Sequence, residues 1–252
     1  MGMAVTVEVV DDRPAAVVEG LLDDVFRWLR TVDELFSTYL PGSEVSRLGR
    51  GELAVGECSA DVRTVVERCA ELWRVTDGYF DAYATGRLDP SGYVKGWAVQ
   101  VASDRLLAAG AVNHCINAGG DVRVRGTCAP GQPWRVGLRH PFEPLSVYAV
   151  LVGADLAVAT SGTYERGFHV VDPHRGVPAR DLCSVTVVGS DLGLADAYAT
   201  AALAMGLPGL DWLAHLAGHE SAAVTADGRS FRSDGLPVDP PEIGRFAAGP
   251  PG

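Results

Sequence analysis

The stretch from Asn113 to Arg125 reads NHCINAGGDVRVR, and its pattern decides the class of fold. Two strand-like runs, at 113–117 and 121–125, are separated by Gly119 and Gly120. Gly-Gly and Gly-Asp sequences are typical of hairpin turns, which join antiparallel strands. Two glycines in a row would also let a ligand approach the backbone closely. The sequence therefore predicts either a plain hairpin turn or a binding loop at this point.

The segments on either side mix helices and strands without a regular order. Strand-like runs are predicted at 3–10, 134–138, 146–152, 155–162, 168–171 and 183–189, with a hairpin at 221–232. Helical spacing of apolar residues predicts helices at 14–35, 59–76, 93–109, 194–205 and 209–217. Residues 36–50 are predicted to form a loop with a short helical turn.

This mixed order favours an α+β domain with a largely antiparallel sheet packed by helices, because a doubly wound fold requires regular βαβ units. The domain is expected to cover residues 1–236. A flexible tail rich in Pro and Gly is expected at 237–252.

Composition excludes several classes of protein. The 252 residues are 47% hydrophobic and 21% charged, which is typical of a globular chain of one large or two small domains. No run of about 18 apolar residues occurs, so no membrane span is expected. The net charge is −11 and Lys95 is the sole lysine. A nucleic-acid partner is disfavoured, because it would require a cluster of basic residues.

The five cysteines include no CxxC pair, and the start of the chain lacks a basic segment followed by an apolar one. An odd number of unpatterned cysteines is typical of reduced thiols in the cytosol. The beginning of the chain is interpreted as a strand rather than a signal peptide. A cytoplasmic location is therefore expected.

One helix carries a pair of oxygen side chains. Asp196 and Thr200 are four residues apart and share one face of the predicted helix. A carboxylate and a hydroxyl suit a hard cation such as Mg²⁺, which leaves positions open for phosphate. The alternative is that Asp196 only favours the helix N-terminus through the helix dipole.

Other stretches also carry residues of chemical interest. Lys95 follows a Pro-containing turn at the start of a helix, where it could contact a phosphate or flavin oxygen, form an ion pair, or lie at the surface. His169 lies near Asp172 and could be a general base or a structural histidine. Ser161 is not expected to be a nucleophile, because the GxSxG elbow is missing. The loop at 77–92 is rich in aromatic residues, which is frequent in binding loops.

Eight segments follow one another in a recognisable order: FSTY (36–39) with SEVSRL (43–48), TDGYFD (76–81), LDPSGYVKGWA (88–98), NAGGD (117–121), ATSG (159–162), HVVDP (169–173), SVTV (184–187) and DAYATAA (196–202). Together they resemble the ApbE family, the FAD:protein FMN transferases. The resemblance runs from about Phe36 to Gly206, with a shorter likeness at Met3–Val9. It implies binding of FAD and Mg²⁺, transfer of FMN to a Thr or Ser hydroxyl of a client flavoprotein, and release of AMP.

The resemblance also implies roles for individual residues. It implies metal ligation by the side chains of Asp196 and Thr200 and by the backbone carbonyl of Gly92, and it makes His169 the general base toward the acceptor hydroxyl. The implied FAD site comprises Tyr39, Tyr79, Phe80, Asp81, Asp89, Lys95, Gly119, Gly120, Asp121, Thr160 and Ser161.

The chain departs from the family pattern at its start. The usual Met-Gly-Thr occurs only loosely, as Met3-Ala4-Val5-Thr6 or Met1-Gly2-Met3. Two other functions remain open alongside the transferase. One is a FAD pyrophosphatase, which uses water as the acceptor, and the other is a non-catalytic FAD-binding protein.

Overall fold

A computed structural model describes residues 2–143, 145–163 and 170–239. The described helices are α1 (Ala15–Phe36), α2 (Glu44–Gly49), α3 (Ala60–Val75), α4 (Ser91–Ala108), α5 (Leu192–Met205) and α6 (Pro208–Ala214), with a 3₁₀ turn at Val55–Glu57. The strands are β1 (Val5–Val9), β2 (His114–Ala118), β3 (Asp121–Arg125), β4 (Thr127–Ala129), β5 (Gln132–Arg139), β6 (Val147–Gly153), β7 (Asp155–Gly162), β8 (Val171–Asp172), β9 (Val177–Pro178), β10 (Leu182–Gly189), β11 (Glu220–Thr225) and β12 (Ser230–Arg232).

A seven-stranded sheet in the order β1-β2-β3-β7-β10-β11-β12 forms the centre of the fold, and every neighbouring pair is antiparallel. The predicted hairpin between β2 and β3 is confirmed, since Ala118 pairs with Asp121 across the turn. Gly119 and Gly120 both have positive φ, of 59° and 95°. A two-residue hairpin turn with both φ values positive strongly favours glycine, which has no Cβ to clash.

The sheet lies between two different layers. Helices α4 and α5 cover one face, and the three-stranded sheet β4-β5-β6 covers the other, with a separate apolar core on each side. Helix α1 packs outside α4, and Trp28 of α1 donates from Nε1 to the Ala98 carbonyl at 2.9 Å. The predicted α+β class with a largely antiparallel sheet is confirmed.

Helix α5 is buried along nearly its whole length, because its sequence is dominated by Ala and Leu. A helix that is apolar all round is stable only when other elements enclose it. Asp196 lies in this helix and is 2% exposed. A buried carboxylate is costly without polar partners, so the fold has to supply them.

The boundaries differ from the prediction in a few places. The helical turn expected in 36–50 is α2, which Ser43 caps by accepting from the N–H of Ser46 at 3.1 Å. Helices α4 and α5 begin two residues earlier than predicted, and strand β4 was not predicted. Half of the strand expected at 168–171, residues 168 and 169, lies outside the described residues, and residue 171 belongs to β8.

Contacts with the domain continue three residues beyond the predicted boundary at 236. The Pro237 carbonyl accepts from Val152, the N–H of Asp239 donates to Val150, and Val238 forms a bridge with Leu151. The rest of the predicted tail, residues 240–252, lies outside the described residues. Within the described part of the chain, no helix has the length and apolar character needed to cross a membrane.

Candidate active site

Helices α4 and α5 approach each other closely at Gly96. A Cβ at Gly96 would lie 2.3 Å from the Leu192 carbonyl oxygen and 2.9 Å from the Cβ of Asp196. Because glycine has no side chain, the two helices can touch here. The N–H of Gly96 donates to Asp196 Oδ2 at 3.1 Å. This bond gives the buried carboxylate one of the partners it needs.

The Gly92 carbonyl belongs to the same place. In an α-helix, the N–H of residue 96 points at the carbonyl of residue 92. Because Asp196 accepts from that same N–H, its carboxylate lies beside the Gly92 end of α4. A Cβ at Gly92 would lie 3.5 Å from Thr200 Oγ1, so the Thr200 hydroxyl is also adjacent. The fold thus brings together Gly92, Asp196 and Thr200, the three predicted metal ligands.

Ser161 on β7 orients the Thr200 hydroxyl, since the two Oγ atoms are 3.1 Å apart. Thr160, the preceding residue, points to the other face of the sheet. Its hydroxyl bonds to Thr186 at 2.9 Å, while its backbone N–H donates to Asp121 Oδ1 at 3.1 Å. The two neighbouring hydroxyls of the predicted FAD site therefore do not share a site, because side chains alternate along a strand.

Lys95 and Asp121 complete the cluster. Lys95 Nζ lies 2.7 Å from Asp121 Oδ2 and 3.8 Å from Asp196 Oδ1. Both carboxylates are almost fully buried, with side chains 1% and 3% exposed, whereas the Lys95 side chain is 23% exposed. Among the alternatives for Lys95, the structure shows the ion pair. Together the three side chains carry a formal charge of −1.

These groups fit a hard divalent cation. The donors are a carboxylate, a hydroxyl and a carbonyl, all oxygen, which is the chemistry preferred by Mg²⁺ and Ca²⁺. The formal charge of −1 in a largely buried place would be compensated by a bound cation. Within the described ranges, no three His, Cys, Asp or Glu side chains gather into a metal-binding group. A metal at this place would therefore depend on the hydroxyl and the carbonyl as well.

The predicted aromatic loop is fixed at its base by Thr76. This buried hydroxyl donates to the Leu72 carbonyl at 2.7 Å and accepts from the N–H of Phe80 at 2.9 Å. The ring of Phe80 is buried, and its Cε2 would lie 3.2 Å from a Cβ at Gly92. Phe80 is therefore part of the wall beside Gly92 and Thr200.

Tyr79, Asp81 and Asp89 belong to the same loop at 77–92. The ring of Tyr79 packs against His174 with centroids 4.5 Å apart. Asp81 accepts from the N–H of Tyr83 at 2.7 Å, and Asp89 accepts from the N–H of Ser91 at 3.1 Å. Each of these two carboxylates has a turn-stabilising bond, which does not use all of its acceptor capacity.

The remaining predicted residues are Tyr39, Gly119, Gly120 and His169. Tyr39 is 88% exposed, so the fold leaves its ring open to solvent. Gly119 and Gly120 form the exposed hairpin turn, where Gly119 donates to the Ala4 carbonyl. That turn and Thr160 line a cleft of about 450 Å³ on the face of the central sheet that β4-β5-β6 covers. His169 lies outside the described residues.

Gly96 and Gly193 are site-building residues that the sequence reasoning did not single out. A Cβ at Gly193 would lie 2.8 Å from the ring of Tyr93. Glycine in a helix interior costs about 1 kcal/mol relative to alanine, so its presence there is a signal of close packing. Gly96, inside the helix predicted at 93–109, carried that signal.

Tyr93, next to Gly92, is not suited to accept a proton. Burial, followed by the nearby Asp191 carboxylate, raises the pKa of Tyr93 to about 12. Its phenol is therefore protonated at neutral pH. Any general base at this site has to come from another side chain.

The sequence and the fold of this chain are similar to those of known proteins. The family model described as ApbE family matches residues 1–86 and 82–224. A FAD:protein FMN transferase of Rhodobacter capsulatus is 38% identical over 156 residues, which are 58% of this chain and 29% of that protein. A FAD:protein FMN transferase of Vibrio cholerae is 35% identical over 129 residues, 47% of this chain and 39% of that protein. The chain thus spans less than two fifths of the length of these two relatives.

The fold is also found among solved structures. The flavin transferase ApbE from Vibrio cholerae superposes with a TM-score of 0.79, covering 93% of this chain and 94% of that one at 23% identity. At this level of identity, the superposition shows a shared fold.

Proposed function

Because the chain belongs to the ApbE family, we propose that it is a FAD:protein FMN transferase. In this proposal it attaches FMN to a Thr or Ser hydroxyl of a client flavoprotein and releases AMP. The observation that carries the proposal is the contact of α4 with α5, which gathers oxygen donors from Gly92, Asp196 and Thr200. The name of the Rhodobacter capsulatus and Vibrio cholerae relatives supports the same activity.

The proposed metal is Mg²⁺, held by the Asp196 carboxylate, the Thr200 hydroxyl and the Gly92 carbonyl. A bound Mg²⁺ would neutralise negative charge on the diphosphate of FAD. Neighbouring groups of the chain orient these proposed metal ligands. Ser161 Oγ can accept a hydrogen bond from the Thr200 hydroxyl, which would leave an oxygen lone pair of Thr200 available to a bound cation. Gly96 fixes Asp196 Oδ2 and thereby the plane of the carboxylate.

Lys95 has a positioning and an electrostatic part in the proposal. Its ammonium is held by Asp121 at 2.7 Å, and Asp121 is in turn held by the Thr160 N–H at 3.1 Å. A charge fixed by its neighbours in this way does not have to reorganise when the diphosphate binds, which is the main requirement of electrostatic catalysis.

The proposed reaction forms one bond and breaks one. The client oxygen bonds to the phosphorus of the FMN part, and the bond from that phosphorus to the bridging oxygen breaks, so that AMP leaves. The hydroxyl proton passes to a base, for which His169 is the proposed residue. Tyr79 and Phe80 are proposed to lie against the rings of FAD, since aromatic side chains stack on flat ring systems.

The test mixes the protein with FAD, Mg²⁺ and the protein acceptor of the Vibrio cholerae transferase. We expect a fluorescent flavin that stays on the acceptor in denaturing gels, and one AMP for each flavin attached. Asp196→Ala should abolish the transfer, whereas Asp211→Ala, at an exposed carboxylate of α6, should not change it.

Two other results would assign another function. AMP and free FMN without labelled acceptor would identify a FAD pyrophosphatase. FAD binding without AMP release, with or without Mg²⁺, would identify a binding protein and contradict the proposal.

The proposed location is the cytoplasm. All five cysteines are free thiols in the structure. Thiols remain reduced in the cytosol, whereas disulfides form in oxidising compartments. The proposed client is then a protein that is accessible from the cytoplasm.

A further inference from the structure

Helices α4 and α5 meet at a third position, beyond Gly92 and Gly96. Gln100 lies one turn further along α4, on the same face, and is buried. Its Oε1 accepts from the backbone N–H of Leu192, the first residue of α5, at 3.1 Å. Residues 92, 96 and 100 of α4 thus meet residues 200, 196 and 192 of α5, as in two antiparallel helices.

The bond to Leu192 meets a requirement of the helix end. The first N–H groups of a helix have no acceptor within the helix. Asp191 caps Leu194 at 2.8 Å, and its carbonyl accepts from Ala195. Leu192 is fully buried, where water cannot serve its N–H, and Gln100 provides the acceptor. Helix α5 is therefore capped by a side chain of α4.

The same oxygen of Gln100 also reaches the sheet. It accepts from Nε of Arg123 on β3 at 3.0 Å. Arg123 is almost fully buried and pairs with Asp155. It lies two residues after Asp121, so both side chains point from β3 to the same face. One amide therefore ties together the elements that carry Lys95 (α4), Asp196 (α5) and Asp121 (β3).

We propose that Gln100 is a positioning residue for the metal site, fixing the register of α5 against α4 and β3. The inference rests on the proposed function, because the ligands that it positions are those of the proposed transferase. A shift of α5 along α4 would change the distance from Thr200 and Asp196 to the Gly92 carbonyl. Some residues hold metal ligands in place without binding the metal themselves. Their removal typically weakens metal binding by about 10–100-fold.

The experiment measures Mn²⁺ binding by calorimetry, with and without FAD, and thermal unfolding without metal. Gln100→Leu, which has a similar size but no acceptor, should raise the Kd for Mn²⁺ about tenfold, at the lower end of the range for such groups. Gln100→Glu keeps an acceptor oxygen for Leu192 and Arg123 and loses the Nε2 bond to Asp104 on α4 itself, so it should restore most of the affinity. Should the Leu variant not fold, Gln100→Asn, one methylene shorter, is expected to weaken binding in the same direction.

The matched control is Ser103→Ala, three residues further along α4. Ser103 is fully buried, and its hydroxyl bonds to His114 on β2 and Arg125 on β3. This change should lower the melting temperature and leave Mn²⁺ affinity unchanged. Equal affinity of wild type and Gln100→Leu, or equal losses in Gln100→Leu and Ser103→Ala, would overturn the role of Gln100. A wild-type protein that binds no Mn²⁺ under either condition would overturn the proposed metal site itself.

Discussion

The backbone N–H of Gly96 donates to Asp196 Oδ2 at 3.1 Å, across 100 positions of the chain. The bond holds a nearly fully buried carboxylate inside an apolar helix. It forms because Gly96 has no side chain to keep α5 away. The proposed metal site thus depends on the absence of a side chain as much as on the ligands themselves.

Gly96→Ala should disrupt both packing and function. The new methyl group would lie 2.3 Å from a backbone carbonyl of α5, which has no rotamer with which to move aside. Overpacking of this kind costs about 1–3 kcal/mol in the free energy of unfolding. The midpoint of urea denaturation should move to a lower urea concentration, and the flavin-transfer rate should fall.

The control for this substitution is Gly20→Ala in α1. Nothing lies within 4 Å of a Cβ at Gly20. Alanine is a better helix former than glycine by about 1 kcal/mol, so this variant should be slightly more stable and fully active. A Gly96→Ala protein with wild-type stability and rate would show that the close approach of the helices is not required.

Asp121→Asn and Lys95→Met should change metal affinity in opposite directions. Asp121→Asn removes a negative charge and lets the Lys95 ammonium move toward Asp196. Mg²⁺ then has to compete with the ammonium for the Asp196 carboxylate. Lys95→Met removes the positive charge near the same carboxylate. We expect changes of about tenfold in the Mg²⁺ concentration that gives half the maximal rate, upward for Asp121→Asn and downward for Lys95→Met. A shift of both variants in the same direction would contradict this electrostatic picture.

Ser161→Ala and Thr160→Val test the two faces of β7. Ser161 contacts Thr200, whereas the Thr160 hydroxyl contacts Thr186 on the opposite face. Ser161→Ala should raise the Mg²⁺ requirement several-fold, because the Thr200 hydroxyl loses its orienting partner. Thr160→Val should instead reduce stability by about 1 kcal/mol, the typical value of one hydrogen bond, and leave the Mg²⁺ requirement unchanged. The reverse pattern in metal titrations would place the functional hydroxyl on the other face.

His114 should make stability depend on pH. Its Nδ1 bonds to the Ala111 carbonyl at 2.8 Å and its Nε2 to Ser103 Oγ at 2.7 Å, while Arg125 Nε donates to the same Ser103 oxygen. Desolvation by burial, and then the nearby Arg125 and Arg123, lower the pKa of His114 below its usual 6.5. The unfolded chain therefore binds this proton more readily than the folded one.

Stability should consequently fall as the pH drops below about 6.5, by at most about 1.4 kcal/mol per pH unit for one proton. Above about pH 7.5 this contribution should be constant, since the imidazole is then neutral in both states. Urea denaturation of wild type and His114→Gln between about pH 5.5 and about pH 8 isolates the effect as the difference between the two slopes. If the free energies of unfolding of the two proteins change in parallel over that pH range, His114 is not the source of the pH dependence.

Local patterns predicted most of the elements of this fold. Two glycines between strand-like runs predicted the β2–β3 hairpin, because positive φ values are available to glycine at no steric cost. The assignment of both Thr160 and Ser161 to the FAD site, made from the resemblance, did not take account of the alternation along β7, which puts the two side chains on opposite faces. The pairing of Lys95 with Asp121 was not predicted, since nothing in the local sequence relates residues 26 positions apart on a helix and a strand.

The sequence by itself determined that Asp196 and Thr200 share a face of one helix, because the period of an α-helix is a local property of the chain. Only the tertiary structure decided what that face meets. The partners of α5 are Gly92, Gly96 and Gln100 on α4, about 100 residues away, and Ser161 on β7. Contacts over such distances arise from the packing of whole elements around a common core, which no local periodicity encodes.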